Sequence, residues 1–262
     1  TCFQSAAMAW RSIYGNDICF PDLMHAQTVL VWSNNLYHSN VGMARPYQSL
    51  KARGAKIIAV DPRETVTTQA ADIHLKLLPG TDGALALSMA QVIIEEGLYD
   101  KEFVETYVYG FEEYQAYVNQ FPPEKAEKIT GVDKELIREA ARMYASNGPA
   151  GIMFSASPVV HNINGMQNYR AVMCLIALTG NYDIPGGNPL RPGPVSPCNE
   201  YGKVKRLDTI EAIGEKDFPA WFDLPCEEAQ CTRIADYILS SHHTSDKRYY
   251  HLLHFLIHKI RC

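Results

Sequence analysis

The amino-acid sequence predicts an α/β fold in which a mainly parallel sheet is flanked by helices. Short apolar runs, rich in β-branched residues, alternate with helical segments along most of the chain. The first two runs, 28–33 and 55–60, enclose one helical segment, which is typical of parallel strands joined by a right-handed crossover. Since no GxGxxG motif follows a strand, we expect a Rossmann-like fold without the usual dinucleotide loop.

Residue composition, together with the residue types that begin and end helices, predicts the bounds of the individual strands and helices. Strands are predicted at 28–33, 55–60, 73–78 and 150–155. Helices are predicted at 5–14, 42–53, 83–96, 101–108, 111–119, 133–146 and 165–179. Gly54 suits the position after a helix, Thr81 or Asp82 can cap the helix at 83–96, and Asp133 can cap the helix at 133–146.

The composition is that of an ordinary folded protein. The 262 residues are 47% hydrophobic and 20% charged, with a formal net charge of −5, which excludes a disordered or collagen-like chain. No apolar run reaches the ~18 residues of a membrane-spanning helix, so we predict no direct membrane span. The absence of a basic patch with interleaved aromatic residues argues against a nucleic-acid partner.

The two ends of the chain and the cysteines are unusual for a complete protein. The sequence begins without Met or a signal-peptide pattern, from which we predict a fragment of a longer protein. The seven cysteines are widely spaced without a CxxC pair, which argues against a disulfide framework and against a zinc or iron–sulfur site. Residues 240–262 hold five of the nine histidines. His251, His254 and His258 can form a metal site on one helical face, but a biased, truncated or out-of-frame tail is favoured.

Polar residues follow each predicted strand, where ligands bind in open parallel sheets. The four loops are 33–40, 61–68, 79–82 and 155–164. Their small or polar residues are Asn34, Asn35, His38, Ser39, Asp61, Arg63, Thr65, Gly80, Thr81, Asp82, Ser155, Ser157, His161 and Asn162. This set predicts a nucleotide site, in which Asp61 accepts from a ribose hydroxyl or a guanine edge and Arg63 binds a phosphate.

A simpler explanation exists for each of these loops. Asp61 and Pro62 can form a strand-ending turn, and residues 79–82 can form a turn followed by a helix cap. Their convergence on one edge of the sheet nevertheless favours a binding site. The sequence has no P-loop motif and no GxSxG nucleophile elbow, so the nucleotide would be held by an unusual edge.

Five motifs, in order along the chain, resemble those of the molybdopterin-dependent oxidoreductases. This superfamily comprises formate dehydrogenases and the nitrate, thiosulfate and dimethyl sulfoxide reductases. The resemblance extends from about Cys2 to about Leu239. The motifs are VLVWSNN at 29–35, GAKIIAVDPRET at 54–65, the segment 71–114 that contains LLPGTD, ITGVDKELIREAARMYA at 129–145 and LTGNYDIPGGNPLR at 178–191.

The resemblance implies a larger multi-domain enzyme with a bis-molybdopterin guanine dinucleotide cofactor that carries Mo or W. Residues 1–239 would be the α/β domain that binds one guanine dinucleotide, and a 4Fe–4S cluster would lie in a missing amino-terminal part. The residues implied in cofactor binding are Asn35, His38, Ser39, Asp61, Arg63, Gly80, Thr81, Asp82 and His161. Ser33 departs from the family pattern, which commonly has glycine there.

The resemblance also implies two catalytic residues near the metal. Cys2 stands where the family has its protein ligand to the metal, and Arg191 matches an arginine beside the metal in formate dehydrogenases. Phe3 stands where formate dehydrogenases have a histidine, which argues against formate and favours the acetylene hydratase, aromatic dehydroxylase and transhydroxylase side. For Cys198 a buried structural thiol is the preferred interpretation.

The leading hypothesis is therefore a fragment of an enzyme that catalyses redox or oxygen-group transfer at Mo or W. The alternatives are an acetylene hydratase-like non-redox hydration, a non-catalytic relative that keeps the fold, and an NAD-dependent dehydrogenase, which the missing glycine loop disfavours. Expected partners are a small-molecule substrate, the remaining domains of the same enzyme and an electron-transfer subunit. The sequence does not decide between a cytoplasmic and an exported enzyme, and the resemblance favours a prokaryotic source.

Overall fold

A computed structural model describes residues 2–16, 18–155, 159 and 161–190, with side chains from Ser5 onward. Its centre is a parallel four-stranded sheet in the order β3-β2-β1-β4, which confirms the predicted fold class. The strands are β1 (Thr28–Trp32), β2 (Lys56–Val60), β3 (Ile73–Leu75) and β4 (Ala150–Phe154). The tail at 240–262, Ser157, Arg191 and Cys198 lie outside the described residues, as do the side chains of Cys2 and Phe3.

Helices connect and cover the strands. They are α1 (Cys2–Tyr14), α2 (Ala44–Ala52), α3 (Val66–Gln69), α4 (Asp82–Glu95), α5 (Lys101–Tyr107), α6 (Phe111–Val118), α7 (Pro123–Thr130), α8 (Lys134–Ser146) and α9 (Gly165–Leu178). A 3-10 turn at Val41–Met43 precedes α2, where the sequence predicted one continuous helix. The carboxylate of Asp133 accepts from the N–H groups of Glu135 and Leu136, which confirms the predicted cap of α8.

Two helices are absent from the sequence prediction. Helix α7 begins at a Pro-Pro pair, which resembles a helix stop, although Pro123 occupies the first helical position, where proline is tolerated. Helix α3 is a single turn inside the predicted loop after β2. It is held by a reciprocal capping box between Thr65 and Thr68, a local contact that hydrophobic periodicity does not detect.

The strands are buried on both faces, which explains their continuous apolar composition. Leu30 and Trp32 of β1 face the larger core, between the sheet and helices α1, α4, α8 and α9. Val29 and Val31 face a smaller core, which includes Tyr47 and Leu50 of α2. Most of α4 is buried, so this helix is the central element of the layer over the larger face. No described helix has the length and apolar character needed to cross a membrane.

Asparagine side chains complete the outer edge of β4. The Oδ1 atom of Asn188 accepts from the N–H of Ile152 at 2.9 Å, while its Nδ2 donates to the carbonyl oxygens of Ile152 and Cys19, both at 3.0 Å. The Oδ1 atom of Asn181 accepts from the N–H of Ala150 at 2.9 Å. Within the part of the chain that the structure describes, these amides bond to the edge of β4 where a further strand would pair. A Cβ on Gly151 would stand 2.8 Å from Pro21 Cβ in the same tightly packed region.

We expect Asn188→Leu to lower the free energy of unfolding by about 2–4 kcal/mol. The leucine is similar in size, but it removes the hydrogen bonds from Asn188 to three buried backbone groups of Ile152 and Cys19. Chemical denaturation measures the effect. The matched control is Asn119→Leu on an exposed position, which should change stability by less than about 0.5 kcal/mol. Equal effects of the two substitutions would contradict this account of the edge.

Acid should destabilise the protein partly through Asp22. Burial by itself would raise the pKa of the Asp22 carboxyl. Hydrogen bonds from the ring of His25 (2.6 Å), the N–H of Gly186 (3.2 Å) and the N–H of Met24 (3.1 Å) outweigh burial and hold the pKa below its ordinary value. A carboxyl whose pKa is lowered on folding stabilises the protein above its unfolded pKa of about 3.9. That stability is lost as the pH falls through the folded pKa.

The free energy of unfolding, measured between about pH 6 and pH 2, tests this predicted loss of stability with falling pH. The Asp22→Asn variant should lose less stability over the lower part of that range than the unaltered protein, because it has no carboxyl to protonate. Glu139→Gln, which removes an exposed carboxyl, serves as the control and should follow the unaltered curve. A curve for Asp22→Asn that runs parallel to the unaltered one would refute the role given to these hydrogen bonds.

Candidate functional site

The strand order reverses at the carboxyl ends of β1 and β4. From β1 the chain proceeds to β2 and β3 on one side, and then returns to β4 on the other side of β1. Such a reversal opens the sheet edge to a ligand. The loop after β1 is joined to the end of β4, since Nδ2 of Asn34 donates to the carbonyl of Phe154 at 3.1 Å.

The loop after β1 begins with a strained residue. Ser33 has φ 52°, in the left-handed region, and its N–H donates to the carbonyl of Val60 at 2.7 Å. Such a backbone costs a non-glycine residue roughly 1–3 kcal/mol, and the glycine that the resemblance implies at this position would avoid that cost. This left-handed conformation turns the chain at the end of β1, and Asn34 and Asn35 follow directly after the turn.

Asn35 organises the remainder of this loop. Its carbonyl accepts from the N–H groups of His38 (3.1 Å) and Ser39 (2.8 Å), which makes a compact turn with both of those side chains exposed. The Oδ1 atom of Asn35 is buried without a hydrogen-bond partner among the described residues. The N–H of Leu36 donates to Oγ1 of Thr67 at 3.0 Å, which fastens this loop to helix α3.

The loop after β2 presents a nearly buried carboxylate and an exposed cation. Asp61 is 7% exposed, and its Oδ1 accepts from the N–H of Arg63 at 2.8 Å. The Arg63 side chain is 71% exposed, with its Nε 3.9 Å from the same oxygen. Nε2 of His74 donates to the carbonyl of Asp61 at 2.8 Å. Asp61 therefore does form the turn that the simpler explanation required, through one of its two carboxylate oxygens.

The loop after β3 is attached to the end of β1. The indole Nε1 of Trp32 donates to Oδ1 of Asp82 at 2.8 Å, and Asp82 is 4% exposed. Burial raises the pKa of the Asp82 carboxyl, and the hydrogen bond from Trp32 opposes that rise in part. The side chain of Thr81 donates to the carbonyl of Leu78 at 2.6 Å and makes no cap contact.

The predicted side-chain capping of α4 by Thr81 or Asp82 is therefore wrong in its contacts, although the helix does begin at Asp82. The hydroxyl of Thr81 closes the preceding turn, and the carboxylate of Asp82 is directed to Trp32. The sequence offers both side chains as caps. The hydroxyl of Thr81 instead bonds three residues back, and the partner of Asp82 comes from a distant strand that no local pattern indicates.

An amide from α9 links the loops after β3 and β4. Nδ2 of Asn168 donates to the carbonyl of Gly80 at 3.2 Å and lies 3.3 Å from Oδ1 of Asn162. Nδ2 of Asn162 in turn donates to the carbonyl of Val159 at 3.0 Å. β3 and β4 are the two outer strands of the sheet, so this bridge brings together loops that the strand order alone would separate.

The structure thus gathers the predicted ligands around one edge, in differing degrees of exposure. Asp61 and Asp82 are buried, Asn35 and Thr81 are half-buried, and the exposed ones are His38, Ser39, Arg63, Gly80 and His161. Within the described part of the chain, no group of three or more His, Cys, Asp or Glu side chains is arranged to hold a metal ion. The roles of Cys2 and Arg191 stay predictions, since neither side chain is among those described.

Sequence reasoning missed four residues that build this edge: Trp32, Thr67, His74 and Asn168. Trp32 belongs to an apolar strand pattern and Thr67 to the predicted loop after β2, and neither assignment indicates a hydrogen-bond partner. Asn168 offered a weak signal, because it is a polar residue at a buried position of an otherwise apolar helix face.

Comparison with known proteins identifies the family of this chain. The family model of molybdopterin oxidoreductase matches residues 3–216. The F420-dependent formate dehydrogenase subunit alpha of Methanocaldococcus jannaschii is 38% identical over 192 residues, which are 72% of this chain and 27% of that protein. Acetylene hydratase of Syntrophotalea acetylenica is 39% identical over 218 residues, which are 82% of this chain and 29% of that protein.

A solved structure is similar as well. Acetylene hydratase from Pelobacter acetylenicus has a TM-score of 0.66 and 38% identity, covering 68% of this chain and 24% of that one. The chain spans 27% and 29% of the two curated relatives. The family model covers most of the chain and the parallel sheet agrees with a solved relative, so the resemblance inferred from the motifs is confirmed. This chain belongs to the molybdopterin oxidoreductase family.

Proposed function

We propose that this chain is one domain of a larger molybdenum or tungsten oxidoreductase, and that its carboxyl edge holds one guanosine end of a bis-molybdopterin guanine dinucleotide. The observation that carries the proposal is the buried Oδ1 of Asn35, which has no partner among the described residues. A buried acceptor without a donor costs about 1–3 kcal/mol, so a ligand that donates a hydrogen bond there would remove that cost.

Guanine has the chemistry that this edge requires. The base presents N–H donors, whereas the neighbouring strand ends offer the amide oxygen of Asn35 and the carboxylate of Asp61. One oxygen of Asp61 accepts from Arg63, and a carboxylate has the capacity to accept further hydrogen bonds. The donors of the base and the acceptors of the site are therefore complementary.

The exposed residues around this point suit the phosphates of a dinucleotide. Arg63 is exposed enough to turn from Asp61 toward a phosphate, and His38 and Ser39 lie on the adjoining loop. Gly80 has φ 85°, and nothing stands within 4 Å of the place a Cβ would take, so a ligand can approach this backbone closely. Thr81 and His161 would contribute from the loops after β3 and β4.

Asp82 has a different role in this proposal. Its carboxylate is buried against Trp32, so we assign it to positioning the loop at 79–82 rather than to touching the cofactor. The bound cofactor supplies the redox or oxygen-group transfer chemistry at its metal. The domain would hold the nucleotide end, and Cys2 as a thiolate ligand and Arg191 beside the metal would complete the metal side.

The substrate class separates two versions of the proposal. Redox or oxygen-group transfer follows from the family as a whole. A non-redox hydration is the second candidate, which the match to acetylene hydratase over 82% of the chain favours. The formate dehydrogenase subunit is almost equally similar, so overall identity does not separate the two. We propose that formate is not the substrate, because the side chain of Phe3 has no group that can carry a proton.

The proposal includes further parts of the enzyme. The remaining domains would hold the 4Fe–4S cluster and the second pterin, and an electron-transfer subunit would exchange electrons with them. The chain alone would then have no turnover, because half of the cofactor cradle lies in other domains. A small molecule is the expected substrate.

Asp61→Ala in the complete protein should lower cofactor content at least fivefold. A lost charge-assisted hydrogen bond is worth about 1.5–3 kcal/mol, which corresponds to roughly a tenfold or larger change in affinity. Cofactor is measured as oxidised fluorescent pterin and released guanosine monophosphate, each per mole of purified protein.

The control for this experiment is Asp100→Ala. Asp100 caps helix α5, beyond the far end of α4, and its loss should reduce stability while leaving cofactor content unchanged. Full cofactor content in the Asp61→Ala protein, or an equal loss in both variants, would count against the proposed site.

A further inference from the structure

Asn168 makes a bridge that the proposed site does not by itself require. The residue lies in the first turns of α9 and is 7% exposed. Its Nδ2 reaches both the carbonyl of Gly80 (3.2 Å) and Oδ1 of Asn162 (3.3 Å). Both partners are acceptors. The carbonyl oxygen of Gly80 can only accept, and Oδ1 is the acceptor end of the Asn162 amide, whose Nδ2 donates to Val159. The bridge therefore needs the NH₂ group of an amide, with its two donor hydrogens.

A glycine provides the space for this amide. Gly83 lies in the first turn of α4, and a Cβ built there would stand 2.5 Å from Oδ1 of Asn168. Real Cβ atoms do not approach an oxygen so closely, so a side chain at position 83 would displace the amide. Helix interiors disfavour glycine by roughly 1 kcal/mol relative to alanine, and close approach of Asn168 gives a reason for its presence.

The bridge joins two loops that both carry proposed cofactor ligands. The loop after β3 provides Gly80 and Thr81, and the loop after β4 provides His161. Those strands are at opposite edges of the sheet, so a specific link is needed to keep the loops together. The hydrogen bond from Trp32 to Asp82 fixes the start of α4 to β1, and Asn168 fixes the adjoining turn to the loop after β4.

We infer that Asn168 is a positioning residue for cofactor binding, which holds the loops after β3 and β4 together as a single ligand-binding unit. Gly83, which has no side chain, leaves the space that the amide of Asn168 occupies. This inference rests on the proposed function. Asn168 acts through Gly80 and Asn162 and does not itself touch the cofactor. It follows that the loss of its NH₂ group weakens cofactor retention even where the protein remains folded.

The first test is Asn168→Asp in the complete protein. This change keeps the shape of the side chain but places an oxygen against the two acceptors of Gly80 and Asn162. Cofactor loss is followed as the rate at which pterin separates from protein during dilution, at a temperature where circular dichroism shows the folded state intact. We expect that rate to rise at least fivefold.

Gln167→Glu is the matched control, since it makes the same amide-to-carboxylate change one residue away, at an exposed position. It should lose cofactor at the rate of the unaltered protein. A merely structural role for Asn168 predicts a lower unfolding temperature but an unchanged rate of cofactor loss from the folded protein. That result would overturn the inference.

Gly83→Ala provides a second, independent perturbation. It displaces the amide of Asn168 without removing its donors, and alanine is the better helix former, so the test remains decisive if Asn168→Asp fails to fold. We expect Gly83→Ala to speed cofactor loss in the same direction. The double variant should be no worse than Asn168→Asp alone, because both changes break one link.

The outcomes separate this inference from the proposed function. If Gly83→Ala and every foldable Asn168 variant lose cofactor at the unaltered rate while Asp61→Ala loses it faster, the site stands and the positioning role is wrong. If the unaltered protein binds no guanine dinucleotide, the proposed function itself fails and the inference fails with it.

Discussion

The hydrogen bond between the indole of Trp32 and the carboxylate of Asp82 determines where helix α4 begins, and the candidate site depends on that position. Trp32 is the last residue of β1, whereas Asp82 follows β3, two strands away in the sheet. The bond is buried, and burying a carboxylate is costly unless it is hydrogen-bonded, so the start of α4 has a strong preference for this one place. Gly80 and Thr81 directly precede Asp82, so the same hydrogen bond holds them near the carboxyl end of β1.

The other edge loops are fastened in the same manner, each by a polar side chain that bonds to a neighbouring backbone. Asn34 bonds to the end of β4, Thr67 bonds to the loop after β1, and His74 bonds to the turn at Asp61. Because these hydrogen bonds already hold the loops in place, less order would have to be imposed by a ligand, which lowers the entropic cost of binding. The strain at Ser33 and the Asn35 oxygen, which has no partner among the described residues, are the stability costs of that arrangement.

Much of the fold was predictable, because its signals are local. Buried parallel strands need continuous apolar runs, and Asp133 caps α8 through a contact two and three residues away. Helix α7 was missed because its Pro-Pro start resembles a break, although proline fits the first turn of a helix. The site was predictable only as a set of residues at one edge. Which loops meet depends on the path of α4 over the sheet, and no local pattern encodes the pairing of Asn168 with Gly80 or of Trp32 with Asp82.

The central claim is that Asn35 and Asp61 receive the N–H donors of a guanine base. An experimental structure of the complete protein with its cofactor tests it most directly. The account predicts a guanine edge within about 3.2 Å of Oδ1 of Asn35 and of the carboxylate of Asp61. A guanine bound away from the carboxyl ends of β1 and β2, or an Asn35 oxygen that bonds instead to a side chain of another domain, would contradict it.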